Sequence, residues 1–365
     1  MKKKVLFIVP LPPPIHGSSM VCQQIQQSEK INAAFDCRYV NLSTSRRIQE
    51  IGKFSLISIT SKFVRFISSF LYTLWLLVIF RPHICYLAIT CHGKGFLKDS
   101  PFVLLCKLFK RRIIIHQHNK GMASCVHCAF YRSLLRLVYN KTKVILLSWN
   151  LYDDISSVVS KDQVAICPNG IDVSLERRNA RNSVPQILFL SNLIESKGVF
   201  VLIDACRVLR DKGFEFKCVF VGNQSKNLSY AQFDDYVRKC GVADCVFRKG
   251  PLYSEDKRKI FSESDIFVFP TYYENETFGL VLLEAMANSL PVVTCAEGAI
   301  SDIVSDTLTG YIVPQKDSAT LAVAIQKLLD NPEKARIMGQ AGRIRYEEMF
   351  TAARFEANLI SILSE

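Results

Sequence analysis

The feature that most limits how this chain folds is a strand–turn–helix unit at residues 265–288. Asp265-Ile-Phe-Val-Phe-Pro270 is an apolar run closed by proline, which reads as a buried strand, and Phe278–Asn288 has the apolar spacing of a helix. The turn between them carries Glu274 and Glu276, and Glu284 lies eight residues beyond Glu276, about two helical turns on. The amides of Thr277, Phe278, Gly279 and Leu280 are the unpaired donors expected at a helix start, where an anion binds. Carboxylates on both sides of an anion site suit a ligand with hydroxyls at both ends of a phosphate, as in a nucleotide-sugar.

The same alternation of short strand and helix runs through the chain twice. In the first half Val5–Val9 leads into a turn containing Gly17 and Ser18 and then a helix to about Gln27; strands follow at Asp36–Val40 and His83–Ile89. The turn is a phosphate cradle by position, although it lacks the G-x-G-x-x-G of dinucleotide sites. Ser100-Pro101 is expected to start a helix to Phe109, with proline at the first position. Arg112–His118 reads as a strand running out into polar residues, one of His116 and Gln117 pointing into the core and His118 at the ligand-binding edge. A helix at 124–139, a strand at Lys143–Ser148, a helix at Trp149–Val159 and a strand at Val164–Cys167 complete this half. The polar stretch Glu176–Pro185 reads as a linker.

The second half restarts with strand Gln186–Leu190, a turn holding Asn192, Lys197 and Gly198, and a helix to Arg210. Strand Phe216–Val221 ends at Gly222, where a flat base could approach the backbone. Helices at 229–239 and 254–261 flank strand Cys245–Phe247 and precede the 265–288 unit. Strands at Pro291–Thr294 and Gly310–Val313 and helices near 299–304, 318–330, 333–345 and 351–363 follow. The pattern predicts an α/β protein of two Rossmann-like domains, 1–175 and 186–345, with a terminal helical segment 346–365 returning to the first.

Charge is divided unequally between the halves. Residues 1–175 hold 23 Lys+Arg against 8 Asp+Glu, while the rest hold 23 against 25. The first half is therefore expected to meet an anionic partner. Residues 63–80 are the most apolar stretch, and their uncharged part, Phe66–Phe80, falls short of the ~20 residues that cross a bilayer. Two readings stand: a helix packed under the sheet, or one lying in a membrane interface between Lys62, Arg65 and Arg81. The basic run Lys107–Arg112 either complements a helix end or touches lipid phosphates. The 13 cysteines lack a disulfide or zinc spacing, the lone Cys125-Val-His-Cys128 included, and read as reduced residues of a cytosolic protein. The basic, apolar N-terminus is broken by Pro10 too early for a signal peptide and reads as a first strand.

Taken in order, the Gly17 loop, Pro168-Asn-Gly-Ile-Asp172, Ser191–Gly198, Asp265–Pro270 and Glu276-x7-Glu284 followed by Ala-Met-Ala-Asn-Ser-Leu-Pro resemble glycosyltransferase family 4, of the GT-B fold. The resemblance implies a retaining enzyme with its donor on the second domain, its acceptor on the first, and a cleft between them. It assigns Glu284 to the ribose hydroxyls, Glu276 to the donor sugar, the amides of Thr277–Leu280 and Lys197 to the diphosphate, Gly17 to the phosphate from the other domain, and His118 to the sugar and acceptor. The family's arginine five residues before the lysine is replaced by Asn192, which can donate only a neutral hydrogen bond. A UDP- or GDP-sugar donor and no metal or other cofactor follow from it, while the positive first half points to a glycan or lipid-linked glycan acceptor at the inner face of the cytoplasmic membrane, as in surface polysaccharide synthesis. The competing readings are a nucleotide-sugar 2-epimerase of the same fold and a non-catalytic nucleotide-sugar-binding module. No stacking aromatics interleave with the basic residues in a recognised module, so nucleic-acid binding is not expected.

Overall fold

The computed structural model describes residues 2–14, 16–44, 56–175 and 183–365; most of the expected linker, 176–182, lies outside the described residues. The chain divides into two compact units, Met1–Asn169 with Ala353–Glu365, and Gly170–Ala352. Each holds a six-stranded sheet in which every paired strand is parallel.

In the first unit the strands are β1 (Lys4–Val9), β2 (Asp36–Asn41), β3 (Ile84–Leu87), β4 (Arg112–His116), β5 (Lys143–Leu146) and β6 (Val164–Ile166), ordered β2-β1-β3-β4-β5-β6. The central strands are near-continuous apolar runs, with Cys85 and Tyr86 among the Val, Ile, Leu and Phe, because helices cover both faces of a parallel sheet. Edge strand β2 instead alternates and carries Asp36 and Arg38, which discourages further pairing. In the second unit β7 (Gln186–Leu190), β8 (Lys217–Val221), β9 (Val246–Lys249), β10 (Ile266–Phe269), β11 (Val292–Cys295) and β12 (Gly310–Val313) are ordered β12-β11-β10-β7-β8-β9. In both sheets the first strand sits inside, and the chain turns back across it. These reversals lie between β1 and β3 and between β7 and β10, the places where open α/β sheets bind ligands.

Several expected elements differ. Helix Gly93–Leu108 starts from His92, which puts Pro101 inside it rather than at its first position; the Leu97 carbonyl left without a main-chain donor accepts the Ser100 hydroxyl at 3.3 Å. The expected helix 124–139 is two, Met122–Cys125 and Ala129–Tyr139. The cause is distant in sequence: the Asp154 carboxylate accepts from the amides of Gly121, Met122 and Ala123 at 2.9, 3.1 and 3.1 Å, anchoring a separate turn. Trp149–Val159 is a 3₁₀ turn, Trp149–Leu151, and a single helical turn, Tyr152–Ile155. His116 and Gln117 are both buried, because Gln117 lies past the strand end and receives a hydrogen bond from the Tyr139 hydroxyl at 2.9 Å.

The unit boundary falls at Asn169–Gly170 rather than near 175. Ile171 exchanges main-chain hydrogen bonds with Phe350 and Ala352 at 3.0 and 3.2 Å, and its carbonyl accepts the Tyr346 hydroxyl at 2.8 Å. These bonds tie the turn after Pro168 to the end of helix Pro332–Met349, inside the second unit. The last helix, Ala352–Ser364, belongs to the first unit from Ala353 on, where the buried Phe355 ring stands 6.3 Å from that of His116.

Candidate active site

In the second unit the loops after β7 and β10 meet at the chain reversal. Gly198 makes this approach possible: it has φ +86°, and a Cβ there would lie 2.2 Å from the Pro270 carbonyl oxygen. The contact sets Lys197 beside the loop after β10, where its Nζ meets Glu276 Oε2 at 2.5 Å with both side chains largely buried. The ammonium also sits 4.4 Å from the Tyr273 ring centroid. A cation and an anion thus neutralise each other at the chain reversal.

The expected helix at 278–288 begins only at Leu280. Gly279 adopts φ +81°, ψ 65°, so Glu276, Thr277 and Phe278 belong to a loop, and Glu284 alone of the two acids is helical. Two helical turns therefore do not separate the acids. The loop is held from behind: Ala299 donates to the Thr277 carbonyl at 3.0 Å, and a Cβ on Gly298 would lie 2.4 Å from the Glu276 carbonyl oxygen. The Phe278 side chain is buried against Phe350, which leaves only its main chain for a ligand. Gly279 has no side chain to cap the helix, and its first-turn amides have no side-chain cap.

Glu284 is paired through Oε1 with Lys257 at 2.6 Å, while Oε2 is buried without a hydrogen-bond partner. A buried carboxylate oxygen left unpaired costs about 1–3 kcal/mol, so its place in the fold invites a hydroxyl donor from a ligand. Lys257 was not foreseen, because helix Ser254–Ser262 is far from Glu284 in sequence and nothing in its own pattern points inward. Glu274 is exposed, as is Asn192, whose carbonyl accepts from Ile194 at 2.8 Å. A Cβ on Gly222 would lie 1.8 Å from the Ser191 carbonyl oxygen, so this glycine lets the chain's own β7–loop junction come close.

In the first unit the reversal between β1 and β3 opens into a cavity of about 440 Å³, whose lining includes His16, Ser18, Thr44, Lys98, Asp99 and His118. Helix Gly17–Gln27 is capped by His16, whose ring accepts from Ser19 N at 3.3 Å while Ser19 Oγ accepts from His16 N at 3.0 Å. Ser18 Oγ is 3.0 Å from His16 Nδ1, and Gly17 is exposed at the helix start. His16, read only as part of the loop, thus shapes the cradle as its cap. Both ring nitrogens of His118 are buried without a partner. Burial, and then the nearby His16, hold its pKa down at about 4, so it is a neutral imidazole with one donor and one acceptor free for a ligand. Its ring lies 4.0 Å from that of His116, which the Tyr86 hydroxyl holds at 2.5 Å. Asp99 Oδ2 accepts from Thr90 N at 3.0 Å, and Lys98 lies 3.0 Å from Oδ1.

Among the described residues no group of three or more His, Cys, Asp or Glu side chains is arranged to hold a metal ion. All 13 cysteines are free thiols, with Cys128 exposed and Cys125 half-buried.

The family model for glycosyl transferases group 1 matches residues 172–345, nearly the whole second unit. The chain is 29% identical over 183 residues to an amylovoran biosynthesis glycosyltransferase of Erwinia amylovora, covering 48% of this chain and 44% of that one. It is 31% identical over 166 residues to an O-antigen chain mannosyltransferase C of Escherichia coli, covering 45% and 42%. The aligned region thus spans less than half the length of these curated relatives. Among solved structures, Anabaena Alr3699/HepE in complex with UDP superposes with a TM-score of 0.78 over 99% of each chain at 15% identity. That likeness is one of fold, the GT-B pair of parallel α/β sheets.

Proposed function

We propose that this chain is a glycosyltransferase that moves a sugar, with retention at the anomeric carbon, from a UDP- or GDP-sugar to a glycan or lipid-linked glycan in surface polysaccharide synthesis. The observation that carries the reading is the second unit's loop pair: the Lys197–Glu276 contact at 2.5 Å, the uncapped helix start at Leu280, and the unpartnered Glu284 Oε2, all near one sheet reversal. The matches to surface-polysaccharide glycosyltransferases of Erwinia and Escherichia support the substrate class.

In this reading the diphosphate lies on the amides of residues 277–280 and takes the Lys197 ammonium away from Glu276. The freed Glu276 carboxylate then accepts hydrogen bonds from the donor sugar, so one exchange of partners couples phosphate binding to sugar positioning. Glu284 Oε2 takes a ribose hydroxyl, and Lys257 holds that carboxylate in orientation through Oε1. As the anomeric C–O bond to the diphosphate breaks, Lys197 and the amides hold the charge gathering on the leaving phosphate. The acceptor hydroxyl gives its proton to that phosphate, which needs no separate base. His118, neutral at physiological pH, meets a sugar or acceptor hydroxyl. With Asn192 in place of an arginine, Lys197 carries more of the phosphate charge, and no metal is required.

The test is incubation of the purified chain with UDP- and GDP-sugars, with and without a polyprenyl-linked glycan extract, following nucleotide release and glycan mass. Transfer with one donor is expected; epimer formation without acceptor, or donor binding with no turnover on any acceptor, would overturn it.

A further inference from the structure

Helix Leu56–Ile79 presents an exposed face that a surface helix of a water-soluble domain does not normally have. From Thr60 to Ile79 its exposed positions are Thr60, Phe63, Val64, Ile67, Ser68, Leu71, Tyr72, Trp75, Val78 and Ile79, and none is charged. Phe63, Val64, Leu71, Trp75 and Ile79 are each more than half exposed. At 1.5 Å per residue this strip is about 30 Å long. The opposite face is committed: Thr73, Leu76, Leu77 and the following Phe80 are buried in the first unit's core. A helix so anchored lies on the unit, and its charge-free side faces outward where an amphipathic helix places its polar residues.

The second observation is electrostatic and independent. In a parallel sheet the N-terminal ends of all strands share one edge, and in the first unit that edge is basic: Lys2 and Lys4 at β1, Arg81 before β3, Lys110 and Arg112 at β4, and Lys141 before β5. It holds an open groove of about 910 Å³ whose lining includes five cations, Lys2, Lys3, Lys4, Arg38 and Arg81, against one acid, Asp36. Among the described residues only Arg38 meets that acid, at 3.3 Å, while Lys3, Lys4 and Arg81 give hydrogen bonds to the neutral main-chain carbonyls of Ser364, Phe80 and Val78. The apolar strip ends in this groove. Ile79 is followed by Phe80, whose ring lies 5.2 Å from Lys4 Nζ and 5.1 Å from the Arg38 guanidinium, and by Arg81. This edge is opposite the one that carries His16 and His118.

We propose that this face docks the protein onto an anionic lipid bilayer, with the 63–79 strip in the interface and the Lys2–Arg81 groove on lipid phosphates. An uncharged apolar strip contiguous with a cation-rich groove matches a surface of acyl chains beneath anionic headgroups. The charge excess of the first half then has a location away from the sugar chemistry. The inference is separate from the transferase reading, since docking is measured without nucleotide.

The experiment uses the full chain carrying Trp149→Phe, which leaves Trp75 as its single tryptophan. Titrated with phosphatidylglycerol vesicles, Trp75 emission shifts to the blue and is quenched by brominated acyl chains. Phosphatidylcholine vesicles bind at least about tenfold more weakly, because the cations gain nothing there. Leu71→Glu with Trp75 retained lowers vesicle affinity at least about tenfold. Arg81→Gln with Lys2→Gln lowers affinity for phosphatidylglycerol and flattens its salt dependence. Unchanged thermal melts of these surface variants show that folding is intact. The proposal is overturned if Trp75 is untouched by brominated lipid, if binding ignores headgroup charge, or if sedimentation shows Trp75 buried in a dimer that vesicles do not dissociate.

Discussion

Replacing Glu284 with alanine separates a binding role from a structural one, and the structure sets both magnitudes. The substitution removes a 2.6 Å contact with Lys257 and a buried oxygen that has no partner. With side chains 29% and 22% exposed, the ion pair contributes about 0–1 kcal/mol. Loss of the unpaired oxygen relieves a cost of about 1–3 kcal/mol. The net change in stability thus runs from about zero to a gain of about 3 kcal/mol, so the melting temperature of a unit of this size does not fall. Nucleotide binding responds otherwise. A hydroxyl hydrogen-bonded to a carboxylate contributes about 1.5–3 kcal/mol, so Kd for UDP or GDP rises about 10- to 150-fold. Calorimetry with the ribonucleotide and its 2′,3′-dideoxy analogue completes a cycle: the wild type discriminates between them, and Glu284→Ala binds both alike. Equal discrimination in the two proteins, or a lower melting temperature with binding unchanged, would refute the reasoning and make Glu284 a structural partner of Lys257.

Lys197→Ala should lower kcat about 10²- to 10³-fold with circular dichroism unchanged, since it removes the cation that holds the leaving diphosphate; single-turnover assays read this directly. Gly198→Ala places a Cβ 2.2 Å from the Pro270 carbonyl oxygen at φ +86°, and should cost about 2–4 kcal/mol in a urea or thermal melt. His118 has its pKa lowered from 6.5 to about 4, so protonation favours the unfolded chain. The contribution is fully present above about pH 6.5 and is lost as pH falls toward 4, on the order of 3 kcal/mol in all. His118→Gln should flatten that part of the stability profile in denaturant titrations between pH 7.5 and 4. His116, buried and held well below its usual value, keeps part of the slope in that variant.

By itself the sequence determined the class of fold and most of its elements. A parallel sheet buried on both faces needs short unbroken runs such as Val5–Val9 and Ile266–Phe269, and proline and glycine mark where those runs stop; both signals are local. That Lys197 and Glu276 lie in turns after two strands was legible for the same reason, but the loop that carries Glu276 outside the helix of Glu284 was not. What the sequence left open was set by groups that meet only when the chain is packed. Asp154 divides a helix thirty residues away, Lys257 finds Glu284 across two elements, and Gly222 proves to accommodate the protein's own backbone. The apolar run at 63–80 shows the difference most plainly. Its composition fits a core helix and an interfacial one equally, because hydropathy counts side chains without regard to direction. Only the tertiary structure, by burying Leu76, Leu77 and Phe80 and leaving Phe63, Leu71 and Trp75 outside, decided that one face is core and the other is free.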